Sequence, residues 1–264
     1  MELNVNTVYT TVLSILNKEQ RGYMTPDEFN KVATQVQLEI FEGFFQDLNQ
    51  YLRMPKTDEE FASRIAHIEE EIQVFEEYKS ASSHASGVYD FPQDSSNKNE
   101  VYRLGSVYFN AVPGTPQIEL VGRKEYKQQL MSPLTQPSKS FPIGILKNDK
   151  VEVYPKVTTF NPPRAVDNND IKFNYIRKPK DVRWGFTTGS LGQYVYDSTE
   201  YNPTTYPSST DAATAGSTQF EIDSTSQTTV ILEILKYSGI IIRDPQIIQA
   251  AQQELVQDEA NEKR

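Results

Sequence analysis

The sequence predicts an α+β protein with a helical bundle drawn from both chain ends, a central β-rich domain and a long Ser/Thr/Tyr-rich loop. Three observations predict this class: helical spacing of apolar residues at both ends, strand-like spacing in the middle, and a polar stretch near residue 200. The expected divisions are an N-terminal helical bundle (1–80), a linker (81–100), the β-rich domain (101–184), the long loop (185–219) and C-terminal helices that pack on the bundle (220–264).

Two helices are expected before residue 54. Apolar residues of the first recur with helical spacing, at Val5, Val8, Tyr9, Val12, Leu13 and Leu16. The second begins at Thr25, which can cap the helix. Pro26 suits the first helical position, and Glu28 completes a capping box with Thr25. This helix is expected to end near Arg53.

The second helix carries a wide apolar surface. Its main stripe consists of Phe29, Val32, Val36, Ile40, Phe44, Leu48 and Tyr51. A second set lies beside that stripe and consists of Leu38, Phe41, Phe45 and Leu52. Together the two sets cover more than half of the helix circumference, so the helix must contact more than one neighbour. We therefore predict that the second set lies at an oligomer or partner interface.

A third helix and a linker are expected before residue 100. The apolar residues of this helix form a narrow seam typical of an antiparallel helical hairpin, at Phe61, Ile65, Ile68, Ile72 and Phe75. From Ser80 to Asn99 the chain is rich in Ser, Asn, Asp and Gly, and this composition predicts the linker.

The middle of the chain predicts strands. They are expected at 101–112 and 117–121, joined by a turn at 113–116, then at 143–146 and 151–154 as a hairpin, and at 171–176. A short helix is expected over 124–131. The loop at 185–219 is long enough to be functional or disordered. Helical spacing returns at 230–239, and Asp244-Pro245 is expected to begin a last helix.

Composition excludes several classes of function. The chain has 264 residues and a net charge of −10, which argues against a general nucleic-acid binder because phosphate contacts need a surplus of Lys and Arg. It has no Cys, so disulfides and thiolate chemistry are excluded. No apolar run approaches the ~20 residues of a membrane helix, and the N-terminus does not resemble a secretory signal. We expect assembly in a cytoplasm without membrane contact.

No group of residues predicts catalysis, a cofactor or a metal. Residues 17–28 imitate a calcium loop, but Arg21 stands at position 5 of the loop, where a ligand oxygen belongs, and Glu28 is needed for the helix cap. His67 and His84 are far apart and lie outside any zinc-binding motif. We therefore expect a non-enzymatic protein with no catalytic, cofactor-binding or metal-binding residues.

Charge is divided unevenly along the chain. Residues 26–80 contain 13 acidic and 5 basic residues, a net charge of −8, whereas residues 101–184 contain 7 acidic and 14 basic residues, a net charge of +7. The two charged faces are either solvated or complementary between copies or subunits. The basic cluster at 177–183 is either a phosphate contact or a charged turn. Trp184 beside it is a core or interface anchor, and we include it among the candidate interface residues.

Four segments together resemble structural proteins of crAss-like and related podoviral tailed phages. The first is residues 17–30, which resemble an N-terminal signature of that group. The others are residues 124–126 with 132–134, residues 175–179 leading to 184–185, and residues 240–245. They occur in matching order over most of the chain and leave 80–99 and 185–219 as variable parts.

The resemblance implies a virion structural protein, a subunit of the head-to-tail connector or adaptor ring in the phage neck. It implies a homo-oligomer, a dodecamer, that docks to the portal and to other neck and tail proteins. Genomic DNA would pass through its channel without sequence recognition. It also implies location in the virion after assembly in the host cytoplasm. The alternative is a peripheral tail or head decoration protein that binds host or capsid through 185–219. A third option is a nucleic-acid-binding protein that uses 177–183.

Overall fold

The fold is mixed α/β and divides into two compact units. The computed structural model describes residues 2–18, 23–53, 59–93, 99–110, 114–156, 167–201, 216–242 and 253. The terminal unit combines residues 1–74 with 179–264, and the central unit consists of residues 75–178. Within the described ranges no helix is long and apolar enough to cross a membrane.

The helices in these ranges are α1 (Val5–Lys18), α2 (Pro26–Arg53), α3 (Glu59–Gln73), α4 (Arg123–Met131) and α5 (Gln227–Ile242). The first six strands are β1 (Glu2–Leu3), β2 (Glu76–Ser80), β3 (His84–Ala85), β4 (Val88–Asp90), β5 (Val101–Phe109) and β6 (Gln117–Leu120). The last six are β7 (Ile143–Lys147), β8 (Lys150–Tyr154), β9 (Ile171–Arg177), β10 (Phe186–Thr188), β11 (Tyr194–Tyr196) and β12 (Phe220–Asp223). Short 3-10 turns occupy Asn168–Asp170 and Ser224–Ser226.

The terminal unit is built on one apolar core to which α1, α2, α5, β12 and the segment before β10 contribute. The predicted apolar stripe of α1 is confirmed, because all of its members are buried except Leu13, which is half-buried. Strand β1 pairs with β12, so residues near the N-terminus are hydrogen-bonded to the strand that precedes α5. The predicted last helix after Asp244 lies outside the described residues.

The start of α2 has the capping box that the sequence predicts. The backbone N–H of Thr25 donates to Glu28 Oε2 at 2.9 Å, and the N–H of Glu28 donates to Thr25 Oγ1 at 3.4 Å. The Glu28 carboxylate accepts from both the backbone N–H and the hydroxyl of Thr25, and these two hydrogen bonds lower the pKa of Glu28 because they favour the charged form. The cap fixes where α2 begins and therefore sets which of its residues face the core.

Gln37 ties the middle of α2 to two other segments of the terminal unit. Its amide donates from Nε2 to the carbonyl oxygen of Lys180 at 2.7 Å and accepts at Oε1 from the N–H of Glu221 at 2.9 Å. The side chain is 1% exposed. A buried amide of this kind is tolerated because both of its ends have partners.

Only part of the expected loop at 185–219 is irregular. Strands β10 and β11 pair as an antiparallel hairpin between residues 186 and 196, and residues 202–215 lie outside the described residues. The described residues on either side of 202–215 lie close together. The backbones of Arg183 and Thr218 exchange hydrogen bonds of 3.2 and 2.8 Å, and the N–H of Tyr201 donates to Ser217 at 3.0 Å. We call the segments 183–185, 197–201 and 216–218 the loop base.

Two glycines allow the loop base to close. A Cβ atom added to Gly185 would lie 2.2 Å from the carbonyl oxygen of Gly216, which is closer than real Cβ contacts. Gly216 has a φ of +80°, a left-handed backbone conformation that side chains other than that of glycine rarely adopt. The base therefore requires glycine at both positions.

The central unit is an eight-stranded sheet with the order β2-β9-β5-β6-β7-β8-β4-β3. All neighbouring pairs are antiparallel except β6 and β7, which are parallel. The edge strands β2 and β3 are separated by only residues 81–83. Three residues span roughly 10 Å at most, so the sheet curls and brings its two edges near each other.

The inner face of this curled sheet holds the second core. Strand β9 alternates as predicted, with Ile171, Phe173 and Tyr175 buried between half-buried Lys172 and Asn174. The predicted hairpin is also found as β7 and β8, which pair from 143–147 to 150–154. Apolar side chains from β4, β5, β6 and β8 complete the core.

The expected linker at 81–100 and the boundaries around it differ from the structure. Strands β3 and β4 lie within that range. Tyr89 and Phe91, also within it, supply buried aromatic side chains to the core of the sheet. Residues 76–80, expected in the helical bundle, form β2 and pair along β9. At the other end, Val182 and Trp184 are buried in the core of the terminal unit, so residues 179–184 do not belong to the β-rich domain.

Replacing Gly185 with Ala is expected to destabilise the terminal unit by about 3 kcal/mol, because the new methyl group forces the loop base apart. Gly43→Ala in α2 is the matched control. A Cβ there meets nothing within 4 Å, and Ala stabilises a helix by about 1 kcal/mol relative to Gly. Chemical denaturation followed by tryptophan fluorescence measures both variants. Equal effects of the two substitutions would contradict the close approach at the loop base.

Candidate interaction surface

The most exposed apolar side chains of the central unit lie on one connection between strands. This connection contains α4 and the residues after it, and we call residues 123–141 the exposed arm. Met131 is 85% exposed, Leu134 is 97% exposed and Phe141 is 79% exposed. Soluble proteins seldom expose several large apolar side chains on one short segment unless that segment binds something.

Helix α4 connects the parallel strands β6 and β7, as the crossover between parallel neighbours requires. A crossover helix ordinarily buries an apolar face against its sheet. In α4 no residue is buried, and the sequence from Arg123 to Met131 has no continuous apolar stripe. The helix therefore has no buried apolar face against the sheet of its own chain.

Backbone hydrogen bonds give the second half of the exposed arm a defined shape. The N–H of Ser132 ends α4 by donating to Gln129 at 3.3 Å, and the N–H of Thr135 donates to Ser132 at 3.3 Å. Ser138 and Phe141 exchange backbone hydrogen bonds of 3.2 and 3.1 Å. Leu134 lies within the first of these turns, so its exposure comes from a structured segment.

The exposed arm is basic as well as apolar. It contains Arg123, Lys124, Lys127 and Lys139 against the single acidic residue Glu125, a net charge of +3. Lys124 and Lys127 are exposed on α4. A segment with this composition is suited to an acidic surface that also offers apolar contacts.

A polar cluster on β8 holds the root of the exposed arm. The rings of Tyr126 and Tyr154 lie 4.6 Å apart, so α4 contacts the end of β8 through an aromatic pair. The carboxylate of Glu152 accepts from Lys147, from the hydroxyl of Tyr154, and from Lys156, whose Nζ lies 3.1 Å from Oε1. These contacts, led by Lys147 and Tyr154, lower the pKa of Glu152 to about 2. Burial and the neighbouring carboxylate raise the pKa of Tyr154.

The terminal unit has an acidic surface of its own on α3. The helix contains five acidic residues and one basic residue, a net charge of −4. Glu69 and Glu70 are exposed, and Val74, which follows the end of α3, is 56% exposed. We call Glu69, Glu70 and Val74 the α3 surface.

The structure places most of the predicted interface residues inside the chain. Phe41 and Phe45 are buried, with ring centroids 5.1 Å apart, and Leu38 is half-buried. The side chain of Leu52 lies outside the described residues. The interface prediction is therefore wrong for Phe41 and Phe45, because both side chains lie inside the folded chain. Other apolar residues of α2, among them Phe44 and Leu48, are only half-buried.

Trp184 is likewise a core residue rather than a surface anchor. It is 5% exposed, and its indole N–H donates to Asn6 Oδ1 at 3.0 Å. Its backbone N–H donates to Asn30 Oδ1 at 2.7 Å, and the amide of Asn30 donates back to its carbonyl oxygen at 3.4 Å. The ring also packs on Tyr9, with centroids 4.4 Å apart. Of the two roles that the sequence leaves open, the core role is the one observed.

The motifs that imitate chemistry have structural partners. Glu28 serves the cap of α2, and residues 19–22 of the calcium-like segment lie outside the described residues. His84 Nδ1 lies 2.7 Å from Asn168 Oδ1, and His67 Nε2 lies 3.6 Å from Glu71. In the part of the chain that the structure describes, no three His, Cys, Asp or Glu residues are grouped as metal ligands.

The basic cluster at 177–183 is divided between the units and engaged within each. In the central unit, Arg177 Nε lies 2.9 Å from Glu77 Oε1. In the terminal unit, the backbone N–H of Lys180 donates to Glu221 at 2.9 Å, and the guanidinium of Arg183 lies 4.3 Å from the centre of the Tyr201 ring. These contacts favour the charged turn over a phosphate site.

Sequence reasoning found α4 but missed the exposed arm as a candidate site. The available signal was the mismatch between a helix-forming segment and its lack of apolar spacing, followed by isolated Leu134 and Phe141 in a polar stretch. With the geometry in place, comparison with known proteins adds no relative: the chain matches no protein-family model and none of the curated proteins with which it was compared.

Trp184→Ala is expected to lower the free energy of unfolding by about 3–5 kcal/mol, because it leaves a large cavity in the core. Trp184→Phe keeps an aromatic ring but loses the hydrogen bond to Asn6, and we expect a loss of about 1 kcal/mol. Circular dichroism must follow unfolding, since Trp184 is the only tryptophan. Full stability of Trp184→Ala combined with loss of self-association would restore the interface role.

Glu152→Gln is expected to change how stability depends on pH. A folded-state pKa of about 2 lies below the ordinary value, so Glu152 stabilises the fold above pH ~4.5 and loses this effect as pH falls toward 2. The difference in unfolding free energy between wild type and variant should therefore shrink between pH 5 and 2. A difference that stays constant over this range contradicts the ionic role of Glu152.

Proposed function

We propose that the chain is a non-enzymatic structural subunit of a virion, a self-associating connector or adaptor ring in the neck of a tailed phage. In this proposal it docks to the portal, meets other neck or tail proteins and surrounds a channel through which genomic DNA passes without sequence recognition. The proposed ring is a dodecamer of this chain. The finer arrangement, a helical bundle from both chain ends and a Ser/Thr/Tyr-rich loop, belongs to the same proposal.

The observation that carries the proposal is the exposed arm. A structured segment with three highly exposed apolar side chains and a net charge of +3 is suited to contact another protein. A structural subunit needs more than one such surface, and the α3 surface is a second one of opposite charge. The ordered resemblance to neck proteins of crAss-like phages supports the same class of function.

A second candidate is a peripheral tail or head decoration protein that binds host or capsid. The observation favouring it is the tip of the β10–β11 hairpin, where Leu191 is 91% exposed and Tyr194 and Val195 are also exposed. Gly192, with a φ of +78°, allows the tight turn that presents Leu191. A Leu191→Ser variant that assembles normally but loses attachment to host cells or capsids would favour this candidate.

The exposed arm is expected to be required for assembly. Replacing Met131, Leu134 and Phe141 together with Ser should abolish self-association and binding to the portal while leaving the unfolding midpoint nearly unchanged, because all three side chains are exposed in the monomer. Mass photometry of the chain alone and mixed with purified portal measures both results. Leu191→Ser is the matched control, since it removes an equally exposed leucine elsewhere. A wild-type chain that binds neither itself nor the portal would overturn the proposed function.

A further inference from the structure

We infer that the exposed arm of one copy docks on the α3 surface of a second copy of this chain. The inference rests on the proposed ring and names the contact that builds it. It follows from three properties of the described residues: an apolar segment without cover, opposite charges on the two surfaces, and the position of both surfaces on different units.

The exposed arm has the make-up of a docking element. Leu134 and Phe141 offer large apolar side chains as anchors, and the turns around them are held by backbone hydrogen bonds. Such preorganised anchors lose little conformational freedom on binding. The exposed Lys124 and Lys127 of α4 belong to the same arm and favour acidic surfaces as partners.

Charge identifies the occupant. The arm has a net charge of +3, whereas the α3 surface presents the exposed acids Glu69 and Glu70 on a helix of net charge −4, so the two surfaces are opposite in sign. Two arms facing each other would repel, which disfavours a symmetric arm-to-arm contact. The α3 surface also includes exposed Val74, four residues after Glu70, and thus offers an apolar side chain close in sequence to two exposed acids.

The contact joins two different surfaces and is therefore head-to-tail. Heterologous contacts of this kind generate a ring when the rotation between copies closes and an open filament when it does not. The proposed connector requires the closed form. Each copy would give its arm to one neighbour and receive the arm of the other, so no copy in the ring leaves an arm uncovered.

Because the natural chain has no Cys, introduced cysteines give an unambiguous cross-linking test. One preparation carries Leu134→Cys and the other, with a different affinity tag, carries Val74→Cys. The two are mixed at a concentration where the wild type is oligomeric and treated with a short bismaleimide. We expect a cross-linked species that contains both tags. Leu191→Cys replaces Leu134→Cys as the control and should give no such species.

Charge reversal supplies the second arm of the test. Lys124→Glu with Lys127→Glu in the arm should reduce the cross-link about tenfold, because like charges then face each other. Adding Glu69→Lys with Glu70→Lys to the Val74→Cys preparation should restore it to near the original yield. All of these positions are exposed, so circular dichroism should be unchanged in every variant.

The outcomes separate this inference from the proposed function. A wild type that forms rings, with no cross-link between the two preparations and no effect of charge reversal, overturns the docking contact and leaves the connector standing. A cross-link with rescue in assemblies that never close or bind the portal supports the contact and overturns the connector. An arm that binds duplex DNA and gives no cross-link between the two preparations also overturns the contact.

Discussion

The packing of Trp184 determines how the terminal unit holds together segments that are distant along the chain. Its indole N–H donates a hydrogen bond to Asn6 of α1. Its backbone N–H and carbonyl oxygen are both hydrogen-bonded to the side chain of Asn30 of α2. The next residue, Gly185, enters the loop base beside Gly216. A shift of Trp184 would remove the hydrogen-bond partners of two half-buried amides, those of Asn6 and Asn30, and would also misplace the loop base. For this reason one residue constrains both helices and the hairpin that follows.

The features that sequence reasoning predicted well are those decided by neighbouring residues. The stripe of α1, the capping box of α2, the alternation along β9 and the β7–β8 hairpin all follow from local spacing and turn chemistry. The features it missed depend on partners far away. Strand β2 is defined by pairing with β9, almost one hundred residues later, and its own side chains show no buried stripe. Phe75 continued the helical seam by spacing alone, yet it is buried in the central unit.

The same difference between local and distant determinants applies to the residues of the candidate site. The sequence shows that the apolar surface of α2 is wide, but it does not show whether another part of the chain covers that surface. It therefore predicts Phe41 and Phe45 at an interface, although both are buried. The sequence left Trp184 open between core and surface because one tryptophan in a polar stretch fits both. The exposed arm was missed for the converse reason. Its three apolar residues are scattered in sequence, and their exposure becomes visible only in the folded chain, where α4 has no buried residue.

The parallel pairing of β6 and β7 allows the sequence of the exposed arm to vary during evolution. Hydrogen bonds fix both ends of the connection, from the N–H of Val121 to Gly144 at 2.9 Å and from the N–H of Glu119 to Pro142 at 3.2 Å. Between these points, the segment from Arg123 to Phe141 places no residue in the sheet core. Loop-closure entropy rises slowly with length, so insertions or exchanges there disturb the sheet little. The central unit can thus keep its architecture while mutation remodels the segment that selects a partner.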